Sequence, residues 1–387
     1  MPGTQPTTYE NRIDGASRPS RRAGRFQWRA AEAPCEVLGS FPRSGVEEVE
    51  EARAVLARGE RDWSRRSIAA RRRTVERGLA RFAAALVDEA PLLAGGFGLE
   101  ESELQPEVEL CRERSRRAVR EARPASPGVA LVAPDWRSSL GALAASVAAE
   151  LVEGRVVLLL ADERAPLGPA LLVEALLEGG VPTDVVALLF APETEAREVA
   201  LTCGLVAVRA WGDAPAIAVA RRVASRASIP SQRLVLHRAR IDRLPRGADP
   251  EAAAETVVRE AFDRARTLSG ARGGQLSTLY VPESDFAAFS EALMAALLDD
   301  RAYREPLPFL DPRAPQRMRA AWTLALDEGA TLIAGGEVRE EGRSRRVRPA
   351  LLTNGGAHMR AARRVEPTPV LLLCREPLAS RALRADA

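Results

Sequence analysis

Apolar and polar positions alternate briefly at Phe26-Gln27-Trp28 and Glu36–Phe41, between Gly and Pro, which predicts strands within an otherwise irregular lead. From Val46 to Arg58 the period becomes helical, with Ser44 the expected N-cap and Glu47 its capping-box partner. Val75, Leu79, Phe82 and Leu86, three or four residues apart, predict one buried stripe on a helix over Ser67–Glu89. A heavily charged helix is expected over Glu101–Arg120. Then the pattern changes. Gly128–Ala133, Val156–Leu160 and Asp184–Phe190 are short apolar runs of the kind that form strands buried on both faces. Between them, Leu140–Glu153 and Pro169–Glu178 are helical and end at glycines. This βαβαβ order predicts a parallel sheet with right-handed crossovers, the frame of a dinucleotide domain.

A strand at Leu205–Val208, a helix over Ala214–Ser225 and a strand at Leu234–Leu236 extend the sheet. Past a boundary expected near Ile241–Arg246, helices over Pro250–Leu268, Ser284–Asp299 and Ala314–Glu328 alternate with strands at Leu279–Val281, Thr331–Ile333 and Ala350–Leu352. The chain therefore divides into a lead (1–43), a dinucleotide-binding-like domain (44–243) and a smaller α/β, catalytic-like domain (244–387). No internal repeat is visible.

Composition narrows the chemistry. With 387 residues, 46% of them hydrophobic, the chain can bury two cores. Its apolar runs, such as Val156–Leu160 and Val370–Leu373, are strand-sized, so no membrane span is expected. Met1–Glu10 lacks the apolar core of a secretory signal, so a cytoplasmic address is expected. All 56 basic residues are arginine. Without lysine there is no Schiff base, no P-loop lysine and no lysine general base, and arginine stays protonated in their place. A net charge of +3 with interleaved acids does not imply nucleic acid, and Arg21–Arg29 and Arg65–Arg73 read as solvated faces. Cys35, Cys111, Cys203 and Cys374 are scattered without ligand spacing, and only His237 and His358 are histidines. No metal site is expected, and the thiols are expected reduced and mostly buried.

Ordered landmarks then resemble the aldehyde dehydrogenase superfamily. Val37–Pro42 with Val46–Trp63 looks like its opening strand and first helix, and Pro127–Pro134 like the strand leading to its Pro-Trp-Asn motif. Val156–Pro166 is similar to its Lys-Pro-Ser-Glu strand end, and Gly180-Val181-Pro182 to its Gly-Leu-Pro turn. Gly247-Ala248-Asp249, with Ala252-Ala253 and Phe262, resembles the approach to its nucleophile. Gly274-Gln275-Leu276-Ser277 resembles Gly-Gln-x-Cys, and Asp327–Gly336 its Gly-Ala-x-x-x-x-Gly-Gly stretch. Glu366-Pro367-Thr368-Pro369-Val370 stands where Glu-x-Phe-Gly-Pro-Val is expected. The resemblance covers roughly residues 37–376. It implies a Rossmann-type parallel-sheet NAD(P) domain and a smaller α/β catalytic domain.

The family reaction, as the resemblance implies it, needs a cysteine thiolate, oxyanion donors, a glutamate base and a held nicotinamide. Here the nucleophile position holds Ser277, expected on a loop. The oxyanion Asn position holds Arg137, expected to pair with Asp135 or fill the tunnel. The Glu-Leu-Gly-Gly base falls near Leu234–Arg238, at Val235 or His237. The ribose-binding lysine is Leu160, with Glu163 in the register of its acidic partner. The phosphate loop is reduced to Trp211-Gly212-Asp213, and the second ribose clamp reads Val365-Glu366-Pro367. The bridging-hairpin stretch Arg112–Pro127 is short, and the chain ends soon after the last landmark, which leaves sheet edges for a partner to cover unless the sequence is truncated.

The reading is therefore a catalytically inactive or impaired family member serving as a scaffold, partner subunit or binding module. NAD(P) is its cofactor only by resemblance, and no metal is expected. Assembly with another aldehyde dehydrogenase-like chain, the same or a different one, is expected, without nucleic acid or membrane. The alternative is an NAD(P)-dependent oxidoreductase acting on the oxo group of an aldehyde or semialdehyde.

Overall fold

The computed structural model describes residues 6–21, 24–190, 194–202, 204–263, 274–304, 306–308, 314–341, 344–364 and 366–376. The chain forms two compact units, Met1–Leu236 and His237–Ala387. It is mixed α/β with largely parallel sheets.

In the first unit, β1 (Thr7–Thr8), β4 (Arg25–Arg29) and β5 (Val37–Pro42) form a small sheet. The main sheet has seven strands: β2 (Asn11–Ile13), β3 (Ala16–Arg18), β6 (Val129–Ala133), β7 (Val156–Ala161), β8 (Val186–Phe190), β9 (Leu205–Gly212) and β10 (Ser231–Leu236). Their spatial order is β10-β9-β6-β7-β8-β2-β3. From β10 to β8 all neighbours are parallel. Numbered from β6, that core is ordered 3-2-1-4-5, the doubly wound arrangement. The order reverses between β6 and β9, so the switch-point crevice lies beyond the C-terminal ends of those two strands.

The N-terminal segment joins this sheet. Asp14 and Gly15, at φ 55 and 68, turn a two-residue hairpin whose β2 pairs antiparallel with β8 and covers that edge. Buried Asn11 fixes it there, its Oδ1 accepting from Phe190 N–H (3.1 Å) and Ser44 Oγ–H (3.0 Å). Ser44 is thereby spent, and it does not cap the first helix. Helix α1 (Val46–Arg65) starts at Gly45, whose N–H donates to Glu48 (2.8 Å), and runs seven residues past the expected Arg58. Helix α2 (Ile68–Asp88) begins as expected at Ser67, which accepts from Ala70 N–H, and it buries Val75, Leu79, Phe82 and Leu86. In this unit two helices among the described residues went unpredicted: α3 (Ala90–Phe97) and α7 (Thr194–Thr202). Helices α4 (Glu101–Glu121), α5 (Leu140–Glu153), α6 (Leu167–Glu178) and α8 (Ala214–Arg226) lie within a few residues of their expected spans.

In the second unit β13 (Leu307–Pro308), β15 (Val338–Glu341) and β16 (Ser344–Val347) form a small antiparallel sheet, and the five-stranded sheet comprises β11 (Arg240–Arg243), β12 (Leu276–Pro282), β14 (Thr331–Ala334), β17 (Ala350–Gly355) and β18 (Val370–Glu376). Its order is β11-β12-β18-β17-β14, parallel except for β14. Alternate residues of β18 feed opposite cores. Leu371 and Leu373 pack with Phe289 and Leu293 of helix Phe286–Asp299, while Leu372 and Cys374 pack with Met318 and Ala321 of helix Ala314–Asp327. Of the helix expected over Pro250–Leu268, Pro250–Val258 is α-helical and Arg259–Asp263 widens into a π turn, while 264–268 lie outside the described residues. Strand β11 pairs with β12, so the seam between units precedes it, upstream of the expected Ile241–Arg246. No helix among the described residues is long and apolar enough to cross a membrane.

Candidate functional site

At the end of β6 the chain turns through Pro134-Asp135-Trp136-Arg137. Arg137 is 6% exposed and folds back on Asp135: its backbone N–H donates to Oδ1 (3.0 Å) and its Nε to Oδ2 (2.7 Å). Its Nη2 lies 2.7 Å from Asp135 Oδ2 and 3.9 Å from Asp213 Oδ2. The expected pairing with Asp135 is present, and Asp213 joins it from the end of β9. The neighbouring strand end repeats the device. After β7, Arg164 donates to Asp162 through its backbone N–H (2.9 Å), Nε (3.0 Å) and Nη2 (2.9 Å). Both guanidiniums face the buried Trp136 indole, at 5.7 and 5.1 Å from its centroid.

Glu163, at the ribose-clamp position, is exposed and pairs with Arg43 (2.7 Å). Gly212 ends β9, and a Cβ there would lie 2.9 Å from Ala216 Cβ. Asp213, the residue after it, caps α8, its Oδ1 accepting from Ala216 N–H (3.0 Å), and Pro215 removes another donor from the first turn. A helix N-terminus ordinarily draws a phosphate through such free N–H groups. Across the neighbouring ends of β6, β7 and β9, the carboxylates of Asp135, Asp162, Glu163 and Asp213 outnumber the guanidiniums of Arg43, Arg137 and Arg164 paired with them. A separate small cavity of about 20 Å³, at the ends of β6 and β7, is lined by Pro134, Asp135, Ser138, Asp162, Ala165 and Gly168, without Gly212 or Asp213. The residues at these strand ends do not fit a dinucleotide pyrophosphate.

In the second unit Ser277 does not lie on a loop. It is the second residue of β12, 1% exposed, and its hydroxyl donates to the Arg240 carbonyl (3.2 Å). The strand begins earlier than expected because Arg240 N–H donates to Gln275 O (2.7 Å) and Gly274 N–H to Arg238 O (2.7 Å), zipping β11 onto it. Gln275 is buried too, its Nε2 donating to Ala261 O (3.0 Å). His237, 8% exposed, precedes this ladder. The register Arg240↔Leu276 sets it roughly four residues upstream of the level of Ser277. That is on the order of 13 Å of extended chain, beyond hydrogen-bond reach. The structure thus brings His237 and Ser277 onto neighbouring segments without pairing them.

Neither buried thiol among the described residues offers a replacement nucleophile. Cys374 on β18 stands opposite Tyr280, fully buried, and burial pushes its thiol up to about 12. Burial, then Glu107, pushes Cys111 up to about 12 as well. Cys35 is exposed in the N-terminal lead, and Cys203 and Val365 lie outside the described residues. Glu366, of the second ribose clamp, pairs with Arg317 (3.2 Å). No group of three or more metal-ligating side chains occurs among the described residues. Sequence reasoning missed Arg43, Asp162 and Arg164. The repeated Asp-x-Arg at two strand ends was a readable signal for the last two.

The chain resembles many solved structures. An NAD-dependent aldehyde dehydrogenase from Sinorhizobium meliloti superposes with a TM-score of 0.85 at 19% identity, over 96% of this chain and 78% of that one. An aldehyde dehydrogenase from Bartonella henselae gives 0.85 at 18%, over 96% and 83%. The NADP-dependent glyceraldehyde-3-phosphate dehydrogenase from Bacillus halodurans C-125, complexed with NADP, gives 0.82 at 20%, over 95% and 81%. At these identities the likeness is one of fold. No curated protein sequence matches. The aldehyde dehydrogenase family model does match, over residues 97–377, more than half of the sequence, and the chain belongs to that family.

Proposed function

We propose that this chain is a non-catalytic member of the aldehyde dehydrogenase family, serving as a scaffold, partner subunit or binding module. In this reading Met1–Leu236 is its dinucleotide-binding-like part and His237–Ala387 its catalytic-like part. One observation carries it: the hydroxyl at the nucleophile position is 1% exposed within a strand and engaged by a backbone carbonyl. A serine needs a paired base to attack a carbonyl, and a hydroxyl this deeply buried offers the substrate no approach. Arg137 at the oxyanion position supports the reading. It is a permanently charged guanidinium held by Asp135, where the family reaction uses a neutral amide donor.

The test is steady-state reduction of NAD⁺ or NADP⁺ with aliphatic, aromatic and semialdehyde substrates, for the wild type and Ser277→Cys. Neither protein is expected to exceed the enzyme-free rate, because the strand withholds a thiol as it does a hydroxyl. Turnover by either overturns the proposal in favour of an NAD(P)-dependent oxidoreductase of aldehydes or semialdehydes. The expected partner, another aldehyde dehydrogenase-like chain, would register as an added mass by light scattering.

A further inference from the structure

The switch-point crevice is spanned by the chain's own charges. Arg137 comes from the end of β6 and Asp213 from the end of β9, the two strands between which the order reverses. Asp213 uses its two oxygens differently: Oδ1 caps α8, while Oδ2 turns to Arg137 Nη2 at 3.9 Å. Arg137 is also anchored by Asp135, so its positive charge stays at the crevice and the negative charge of Asp213 lies against it. We propose that Arg137 and Asp213 form a charge latch that occupies the pyrophosphate seat of the crevice and keeps out phosphorylated ligands. This rests on the non-catalytic reading above and names a contact that would keep the cofactor's pyrophosphate out. A pyrophosphate entering there meets the Asp213 carboxylate instead of free N–H groups, and like charges a few ångströms apart repel. The latch also provides its own release. Asparagine and serine cap helices as aspartate does but carry no charge. Losing the carboxylate therefore leaves α8 capped, with Arg137 facing an open anion seat.

The experiment is isothermal titration of inorganic pyrophosphate into the full chain, as wild type, Asp213→Asn, Asp213→Ser and the double variant Asp213→Asn/Arg137→Gln. Circular dichroism establishes that each is folded. The latch predicts no saturable binding by the wild type and at least tenfold tighter binding by both single variants. The double variant should fall back to the wild-type level, because the guanidinium that attracts the anion is gone. Single variants that are folded yet bind no better than wild type overturn the latch. So does a wild type that binds as tightly as they do, or a double variant that keeps the gain. No aldehyde or turnover enters these titrations. A wild type that oxidises aldehydes would sink the non-catalytic reading without deciding them, and a flat titration would sink the latch alone.

Discussion

At the scale of single residues, what matters is which protons can leave. The Ser277 hydroxyl keeps its proton and only hydrogen-bonds it to Arg240 O, and the buried thiols fare no better. Cys111 and Cys374 sit in apolar surroundings that raise their pKa to about 12, so at pH 8 they are almost wholly protonated. Cys35 is exposed. Iodoacetamide at pH 8, read by peptide mass spectrometry, is therefore expected to alkylate Cys35 in the folded protein. Cys111 and Cys374 should react only after denaturation, and native labelling of either would contradict their burial. Residue identity was legible at this scale and partnership was not. Glu163 stood at the expected strand end, yet nothing in the sequence joined it to Arg43.

At the scale of elements, the expected helices and strands formed where periodicity was clean, and their ends were decided by neighbours. Helix α2 begins where it was expected, at Ser67, whose capping partner Ala70 is local. Ser44 does not cap α1, because Asn11 reaches it from β2. Close approaches were equally hidden. Gly59 of α1 lies so near the segment entering β8 that a Cβ would stand 2.2 Å from Asp184 O. Gly59→Ala would be neutral or helpful on helix propensity alone, but here it forces helix and sheet apart. Overpacking of this kind costs about 1–3 kcal/mol, to be read as a lower midpoint in urea unfolding. An unchanged midpoint would mean that α1 does not approach Asp184 as described.

At the scale of the whole molecule, acid exposes the reach of a few carboxylates. Glu328 is held below the usual glutamate range, first by Ala361 N–H and then by Arg360, pinning a short turn beside β18. A depressed folded-state pKa gives stability that is present above the unfolded value, about 4.3, and is lost as pH falls through the folded one. Wild type should therefore melt higher than Glu328→Gln at pH 6, and the gap should narrow progressively as pH falls below about 4.3. A gap independent of pH would show that charge is not what Glu328 contributes. Glu153 runs the other way. Burial and then Glu150 raise it, so its penalty is relieved on acidification and partly offsets that loss. By itself the sequence determined the alternation of helices with two-sided buried strands, the parallel doubly wound sheet and the family. Apolar period and motif order are carried by neighbouring residues, which the chain states directly. Only the tertiary structure decided that Ser277 lies inside a strand, that Arg137 faces Asp213 and that Glu163 is paired with Arg43. Those facts depend on strand register and on contacts between distant segments, and no local period encodes either.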